Sequence, residues 1–286
     1  MTGTHAMDAS LSADIALALR LAAMAAGEVA RQAFAATGGE GLRIEQKRGY
    51  HDIVTVADRE AELQATRVLR AHFPAARIVG EEGGASGDGA LAFYIDPIDG
   101  TSNFASGLPF FCASVGAFLD GAPAGGCIHD PVRGECFEAR GGRLLLDGVE
   151  VVPATRGTRD REVELLSNSP PEGGPPGPAA IAEFSDALAS FRAVRRLGSC
   201  ALHIAYVATG RAAIAHERGF HAWDIAAGLQ MVAAAGGRIV AWDTDGARID
   251  APLLRIEAVR RVAVSGPGFD LERANLPGLD RPAPRA

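Results

Sequence analysis

The stretch YIDPIDGTSNF, Tyr94 to Phe104, decides how this chain is read. An apolar run, ALAFYI from Ala90 to Ile95, leads straight into Asp96. Asp99 follows, with Pro97 and Ile98 between the two acids and Gly100 and Thr101 directly behind. A residue before proline is pushed toward an extended backbone, and proline has no N–H to donate. The strand Leu91 to Ile95 is therefore expected to end at Asp96, with Asp99 on the turn beyond it. Two carboxylates and the Ile98 carbonyl form a set of hard oxygen donors, which suits Mg²⁺ or Mn²⁺ rather than zinc. Carboxylates this close raise each other's pKa, a conflict that a divalent cation removes. The alternative is a capped turn, in which Asp99 satisfies backbone N–H groups.

Working outward, acids recur where other elements start or stop. IVGEEGG places Glu81 and Glu82 after a strand, VTVAD places Asp58 at the start of a helix, and HAWDIAAG places Asp224 near the start of a later one. Taken singly, each reads as a helix cap or surface charge. Their joint occurrence favours one site.

The remaining pattern is α/β with mixed sheets. Helices are expected over 10–36, with Ser12 as cap and Leu17, Leu19, Leu21 and Met24 on a wide apolar face, and over 57–72. LRIEQK, DIVTV and ARIVG read as strands. From Ser114 to Val152, short apolar runs separated by DG, DP, RG and GG signal an antiparallel meander. SNSPPEGGPPGPAA, Ser167 to Ala180, is a Pro/Gly-rich connection. Beyond it come a helix over 181–190, the strand FRAVRRLG, a helix over 199–209, the strand AAIAHE, a helix over 224–235, and the strands GRIVAW and RRVAVSG. The tail over 276–286 reads as frayed, and DTDG near Asp243 as a hairpin turn. The chain divides into an N-terminal part, 1–152, with the antiparallel-rich sheet and most candidate ligands, and a C-terminal part, 153–286, supplying Asp224 and substrate contacts.

With 286 residues, nearly half of them hydrophobic, the chain can bury a sizeable core. Its net charge of −7 disfavours nucleic acid as a partner. No apolar run approaches the roughly 20 residues of a membrane span, and the N-terminus lacks a signal-peptide pattern. Cys112, Cys127, Cys136 and Cys200 show no C-x-x-C spacing and read as buried, reduced thiols of a cytoplasmic protein.

GEE, DPIDGTSNF and WDIAAG, in this order and spacing, resemble the inositol monophosphatase family. DIVTVAD upstream and GSCALHIAYVATG downstream fit the same pattern, so the resemblance runs from about Lys47 to Gly237. It implies a layered α/β/α/β/α sandwich, as in fructose-1,6-bisphosphatases, and Mg²⁺-dependent, lithium-sensitive hydrolysis of phosphate monoesters. It implies a first ion on Glu81, Asp96 and the Ile98 carbonyl, a second on Asp96, Asp99 and Asp224, and a third helped by Glu81. It implies that Thr101, hydrogen-bonded toward Asp58, orients the attacking water. The amides of Gly100 and Thr101 would receive the phosphate, with Ser102, Gly198 and Ser199 around it. Glu217 would accept hydrogen bonds from the hydroxyls of a polyol. The family also implies a homodimer.

Cys200, His216 and the Ser167–Ala180 connection depart from the family pattern where the organic part of a substrate would sit. His216 and His221, flanking Glu217, are expected to be partly exposed. Inositol 1-phosphate or a similar polyol phosphate is the expected substrate. Fructose 1,6-bisphosphate, histidinol phosphate and 3′-phosphoadenosine 5′-phosphate are the alternatives, and a catalytically idle, metal-binding regulatory protein is the non-enzyme reading.

Overall fold

The computed structural model describes residues 8–37, 44–46, 53–154, 157–171, 174–277 and 279. Helix α1 (Ala9–Thr37) and helix α2 (Val56–His72) pack together on one face of a large sheet. The packed face of α1 is Ile15, Ala18, Leu19, Ala22, Ala23, Ala26 and Ala30, spaced at three and four residues. Of the four large apolar residues expected on that face only Leu19 is buried; Leu17, Leu21 and Met24 point to solvent. The small alanines, not the leucines, let α1 lie close. The helix starts ahead of Ser12, and the Asp8 carboxylate accepts from the Ser10 amide at 3.3 Å, so Asp8 is the capping group and not Ser12. The expectation that no run is long and apolar enough to cross a membrane is also corrected. Ala9–Ala36 reaches that length and composition, and its alanine face is spent on α2 and the sheet. Strands β1 (Ile44–Gln46) and β2 (Ile53–Thr55) pair antiparallel. The rest of the two strand expectations there, over 42–47 and 52–56, falls partly outside the described residues, as does most of the tail.

The large sheet has eight strands: β3 (Arg77–Gly80), β4 (Gly84–Ser86), β5 (Leu91–Asp99), β6 (Cys112–Leu119), β7 (Ala122–Asp130), β8 (Glu135–Arg140), β9 (Arg143–Leu146) and β10 (Val149–Glu150). Their spatial order is β10-β9-β8-β7-β6-β5-β3-β4, and only β3 and β5 run parallel. The expected meander is present from β6 onward. Two of its turns, Asp120-Gly121 and Asp147-Gly148, hold both residues at positive φ, between 50° and 79°. That is the backbone of two-residue hairpins matched to strand twist.

The strand at the opening stretch does not stop at Asp96. It continues through Asp99, with a register break between Asp96, opposite Ser114, and Asp99, opposite Cys112. Pro97 cannot donate to the ladder, so the strand bulges there and pairing resumes beyond it. Both acids are thereby buried, and Asp99 lies within the strand instead of on a turn beyond it.

Five further strands form a second, mixed sheet: β11 (Glu164–Leu166), β12 (Ala193–Arg195), β13 (Ile214–Arg218), β14 (Arg238–Trp242) and β15 (Arg261–Ser265). The order is β12-β11-β13-β15-β14. Strand β11 had no sequence expectation; its short apolar run among charged residues carries little alternation. Between the sheets lie α5 (Cys200–Ala208) and α6 (Ala222–Ala234), and α4 (Pro178–Ser190) covers the outer face of the second sheet. Strand β15 shows the layering: Val262 and Val264 face the inner core, while Ala263 faces the outer one. The architecture is α/β/α/β/α. A short helix, α3 (Thr101–Ala105), follows β5 directly.

Helix α6 lies flush on the large sheet. A Cβ at Gly116 would stand 2.7 Å from Ala226, and one at Gly126 would stand 2.7 Å from Ala227, both backbone approaches. Since α6 carries Asp224, this contact sets the height of that carboxylate above β5. Gly116→Ala is expected to destabilise the protein by about 1–3 kcal/mol through overpacking. Thermal unfolding should show this as a Tm lower by several degrees; an unchanged Tm would mean that α6 can back away freely.

Candidate active site

The bulge in β5 puts three acids together. Asp96 and Asp99 are 1% and 6% exposed. The Asp96 carboxylate accepts from the Ile98 amide at 3.1 Å, a local turn that tightens the bulge. Asp224 sits in the first turn of α6 and accepts from the His221 amide at 2.5 Å, so it also closes a capping box. One oxygen from each of Asp96, Asp99 and Asp224 lies within 4.8 Å of the others.

Asp99 is held from a second side. It accepts from the Ser199 hydroxyl, from the Ala201 amide at 2.7 Å and from the Cys200 amide at 3.2 Å. The capped-turn alternative is thus partly realised, although the amides belong to α5, distant in sequence. Ser199 caps that helix, its oxygen accepting from the Leu202 amide at 3.3 Å.

Burial, then the charges of Glu81, Asp224 and Asp99, raise Asp96 well above the carboxylate range. Asp96 and Asp224 hydrogen-bond to each other, which two carboxylates can do only by sharing a proton. Burial and Asp224 push Asp99 up to about 7, against the pull of Ser199 and the two amides. Burial also raises Asp224. Three crowded carboxylates that cannot all ionise fit a hard divalent cation, which would take up the charge that now costs each its proton.

The sign follows. A carboxyl whose folded pKa is raised favours the protonated folded state. In the metal-free protein, stability from Asp99 is therefore lost as pH rises from about 4, the unfolded value, to about 7. A cation competes with the proton for the same oxygens. Stabilisation by millimolar Mg²⁺ is expected to be small at acid pH and to grow as pH rises through neutrality. Melting temperatures with Mg²⁺ and with chelator across that range check this; an increment that shrinks as pH rises would count against these carboxylates.

Glu81 follows β3, half-buried, its amide donating to the Ile95 carbonyl at 3.3 Å and its charge acting on Asp96. Asp58, in the first turn of α2, is 2% exposed. The Thr101 hydroxyl donates to the Ile98 carbonyl at 3.0 Å.

Sequence reasoning missed Glu62. Its carboxylate accepts from the Glu82 amide at 2.8 Å and the Gly83 amide at 2.7 Å, and so holds the Glu81 turn. The available signal was its place one helical turn after Asp58, on the same face of α2.

Two glycines close the floor of the site. Gly100 has φ 100°, and a Cβ there would meet the Phe110 carbonyl at 3.0 Å and the Gly198 carbonyl at 3.2 Å. Gly198 has φ 83°, and a Cβ there would strike the Asn103 side chain. Only glycine fits either place. Asn103 ties the two loops by donating to the Phe110 and Leu197 carbonyls at 2.7 and 2.6 Å. Ser102 stands half-buried in the first turn of α3.

Glu217 is not presented as expected. It is 1% exposed, one oxygen 2.5 Å from His203 Nδ1 and the other accepting from the Asn168 amide at 3.0 Å. Its place in β13, between the core layers, turns it inward. His216 is likewise buried instead of partly exposed. Burial, then Arg218 and Arg261, lower its pKa to about 3. His221 does reach solvent, stacked on Trp223 at 4.6 Å. All four cysteines are free and buried.

A family model described as the inositol monophosphatase family matches residues 10–274. A protein named Nus factor SuhB from Xylella fastidiosa is 36% identical over 202 residues, covering 70% of this chain and 72% of the relative. Inositol-1-monophosphatase of Synechocystis sp. is 33% identical over 238 residues, covering 76% and 78%. Among solved structures, the extragenic suppressor protein suhB from Bartonella henselae superposes with a TM-score of 0.76 at 28% identity, covering 89% of this chain and 94% of that one. The inositol monophosphatase from Anabaena gives a TM-score of 0.72 at 28% identity, covering 91% and 92%. With the acid cluster seated at the bulge of β5 and the layered fold around it, the chain belongs to the inositol monophosphatase family.

Proposed function

We propose that this protein hydrolyses a small phosphate monoester in a divalent-metal-dependent reaction, with inositol 1-phosphate or a similar polyol phosphate as substrate. The observation that carries the reading is the convergence of Asp96, Asp99 and Asp224 beside the start of α3. Relatives named inositol monophosphatase support the substrate class. Glu81, Asp96, the Ile98 carbonyl, Asp99 and Asp224 would hold two or three Mg²⁺ ions, or Mn²⁺ in their place. Bound there, the metal supplies an activated water and charge neutralisation at the leaving oxygen.

The chain's own groups do the rest. The Gly100 and Thr101 amides, at a helix start where backbone donors point outward, bind the phosphate oxygens. Gly100 admits the phosphate close to the backbone because it has no Cβ. Thr101, with Asp58 behind it, orients the incoming water. Ser199 and the start of α5 hold Asp99 at its angle. Two copies of the chain would pair as a closed dimer.

A second reading, a binding role without turnover, is favoured by one observation: relatives 36% identical carry the name Nus factor SuhB. Phosphate release separates the two. The panel is inositol 1-phosphate, fructose 1,6-bisphosphate, histidinol phosphate and 3′-phosphoadenosine 5′-phosphate, each with Mg²⁺ and with chelator. Chelator-sensitive release, fastest from inositol 1-phosphate and inhibited by lithium, is expected. Faster release from the bisphosphate would replace the substrate and keep the chemistry; no release from any would leave the binding role.

A further inference from the structure

A buried chain of hydrogen bonds runs from the second sheet to the floor of the site. His203, on α5, is fully buried, with Nδ1 2.5 Å from a Glu217 oxygen. A carboxylate only accepts, so Nδ1 is the donor. The other Glu217 oxygen accepts from the Asn168 amide at 3.0 Å. The Asn168 side-chain carbonyl in turn accepts from the Gly198 amide at 3.0 Å. Gly198 sits at positive φ against Gly100, and its neighbours extend the chain in two directions. On one side the Leu197 carbonyl takes the Asn103 side chain of α3; on the other the Ser199 hydroxyl donates to Asp99.

We infer that His203 is a positioning residue for the hydrolysis: by fixing Glu217, and through it Asn168, it sets the Gly198 turn that holds both α3 and Asp99. This rests on the phosphatase reading and gives Glu217 a different task from meeting substrate hydroxyls. Both Glu217 oxygens are engaged inside the protein, and the side chain offers almost no surface. Removing the His203 donor leaves a buried carboxylate under-satisfied, which is costly where no water can replace the bond. Glu217 then shifts toward other donors, and the Asn168–Gly198 link loses its anchor. The consequence falls on the phosphate turn and on an acid of the metal cluster, so it does not depend on the organic part of the substrate.

The test uses the full chain with Mg²⁺ and two substrates, inositol 1-phosphate and p-nitrophenyl phosphate, which has no hydroxyls to offer. His203→Leu should lower kcat/KM for both by the same factor, roughly 10–100-fold, the range for groups that orient metal-ligating side chains. Glu217→Gln should lower both together as well. His203→Asn, whose side-chain amide places a donor near the position of Nδ1, should restore most of the loss. Amide hydrogen exchange should speed up at Gly198 and in α3 in His203→Leu and return toward normal in His203→Asn. A loss confined to inositol 1-phosphate would overturn the inference, since it would put Glu217 on the substrate. Unchanged exchange at Gly198 in His203→Leu would overturn it too. If the unaltered protein releases phosphate from neither substrate, the phosphatase reading fails, and the exchange data alone decide whether His203 holds the turn.

Discussion

Asp96→Asn is expected to abolish phosphate release and, in the same protein, to raise the melting temperature without metal. The two effects have one cause. Asp96 is buried at the centre of the acid cluster, its pKa raised by burial and by Glu81, Asp224 and Asp99. Asparagine keeps the shape, still accepts from the Ile98 amide, and offers Asp224 an N–H that needs no shared proton. It spares folding the proton uptake that the raised pKa of Asp96 demands at neutral pH in the metal-free protein, and it removes the charge that a cation needs. Ligand present at about 100 times its Kd stabilises a fold by about 2.7 kcal/mol, a rise of roughly 4–5 °C for a chain of 286 residues. The unaltered protein should show a Mg²⁺ increment of that order, and Asp96→Asn should show almost none. Paired melting curves with MgCl₂ and with EDTA decide the matter. A variant that keeps its Mg²⁺ increment, or melts lower than the unaltered protein in EDTA, would remove Asp96 from the centre of the site.

Thr101→Ala should leave the Mg²⁺ increment nearly intact while cutting kcat by about 10²–10⁴-fold, the range for losing a group that moves or orients a proton. The hydroxyl carries no charge, so the electrostatics of the cluster do not depend on it. It does depend on the cluster for its own position: it is anchored on the Ile98 carbonyl, between the two β5 acids. Thr101→Ser keeps the hydroxyl and should recover most of the rate. Steady-state kinetics on all three proteins, alongside their melting curves, make the comparison. Near-normal kcat in Thr101→Ala would take the hydroxyl out of the mechanism and leave the helix-start amides to act alone.

Local pattern carried the element list. Amphipathic spacing placed the helices, and the Asp-Gly turns, which need positive φ at both residues, placed the meander. The family was legible because GEE, DPIDGT and WD each keep several chemistry-bearing residues at short range. The misses share one physical character. The Leu17, Leu21 and Met24 face of α1 was misjudged because apolar periodicity shows a stripe but not which side of it finds a partner. Strand β5 was ended too early because proline removes a ladder donor, yet β6 resumes pairing at Cys112 and carries the strand on to Asp99.

What the sequence determined by itself is the chemistry brought to one place: hard oxygen donors, a glycine-hydroxyl step after a strand, and a second acid at a helix start. These follow from residue type and spacing of a few positions, which backbone sterics and helix geometry translate directly into local structure. Tertiary structure alone decided the occupancy of each group. It turned Glu217 inward onto His203 and Asn168, gave Asp99 the amides of α5, and aimed the Thr101 hydroxyl at Ile98. Those partners lie up to 102 residues away along the chain. A carboxylate's task depends on which donors reach it first and on whether water can replace them. That is settled by how the two sheets and the helices between them pack.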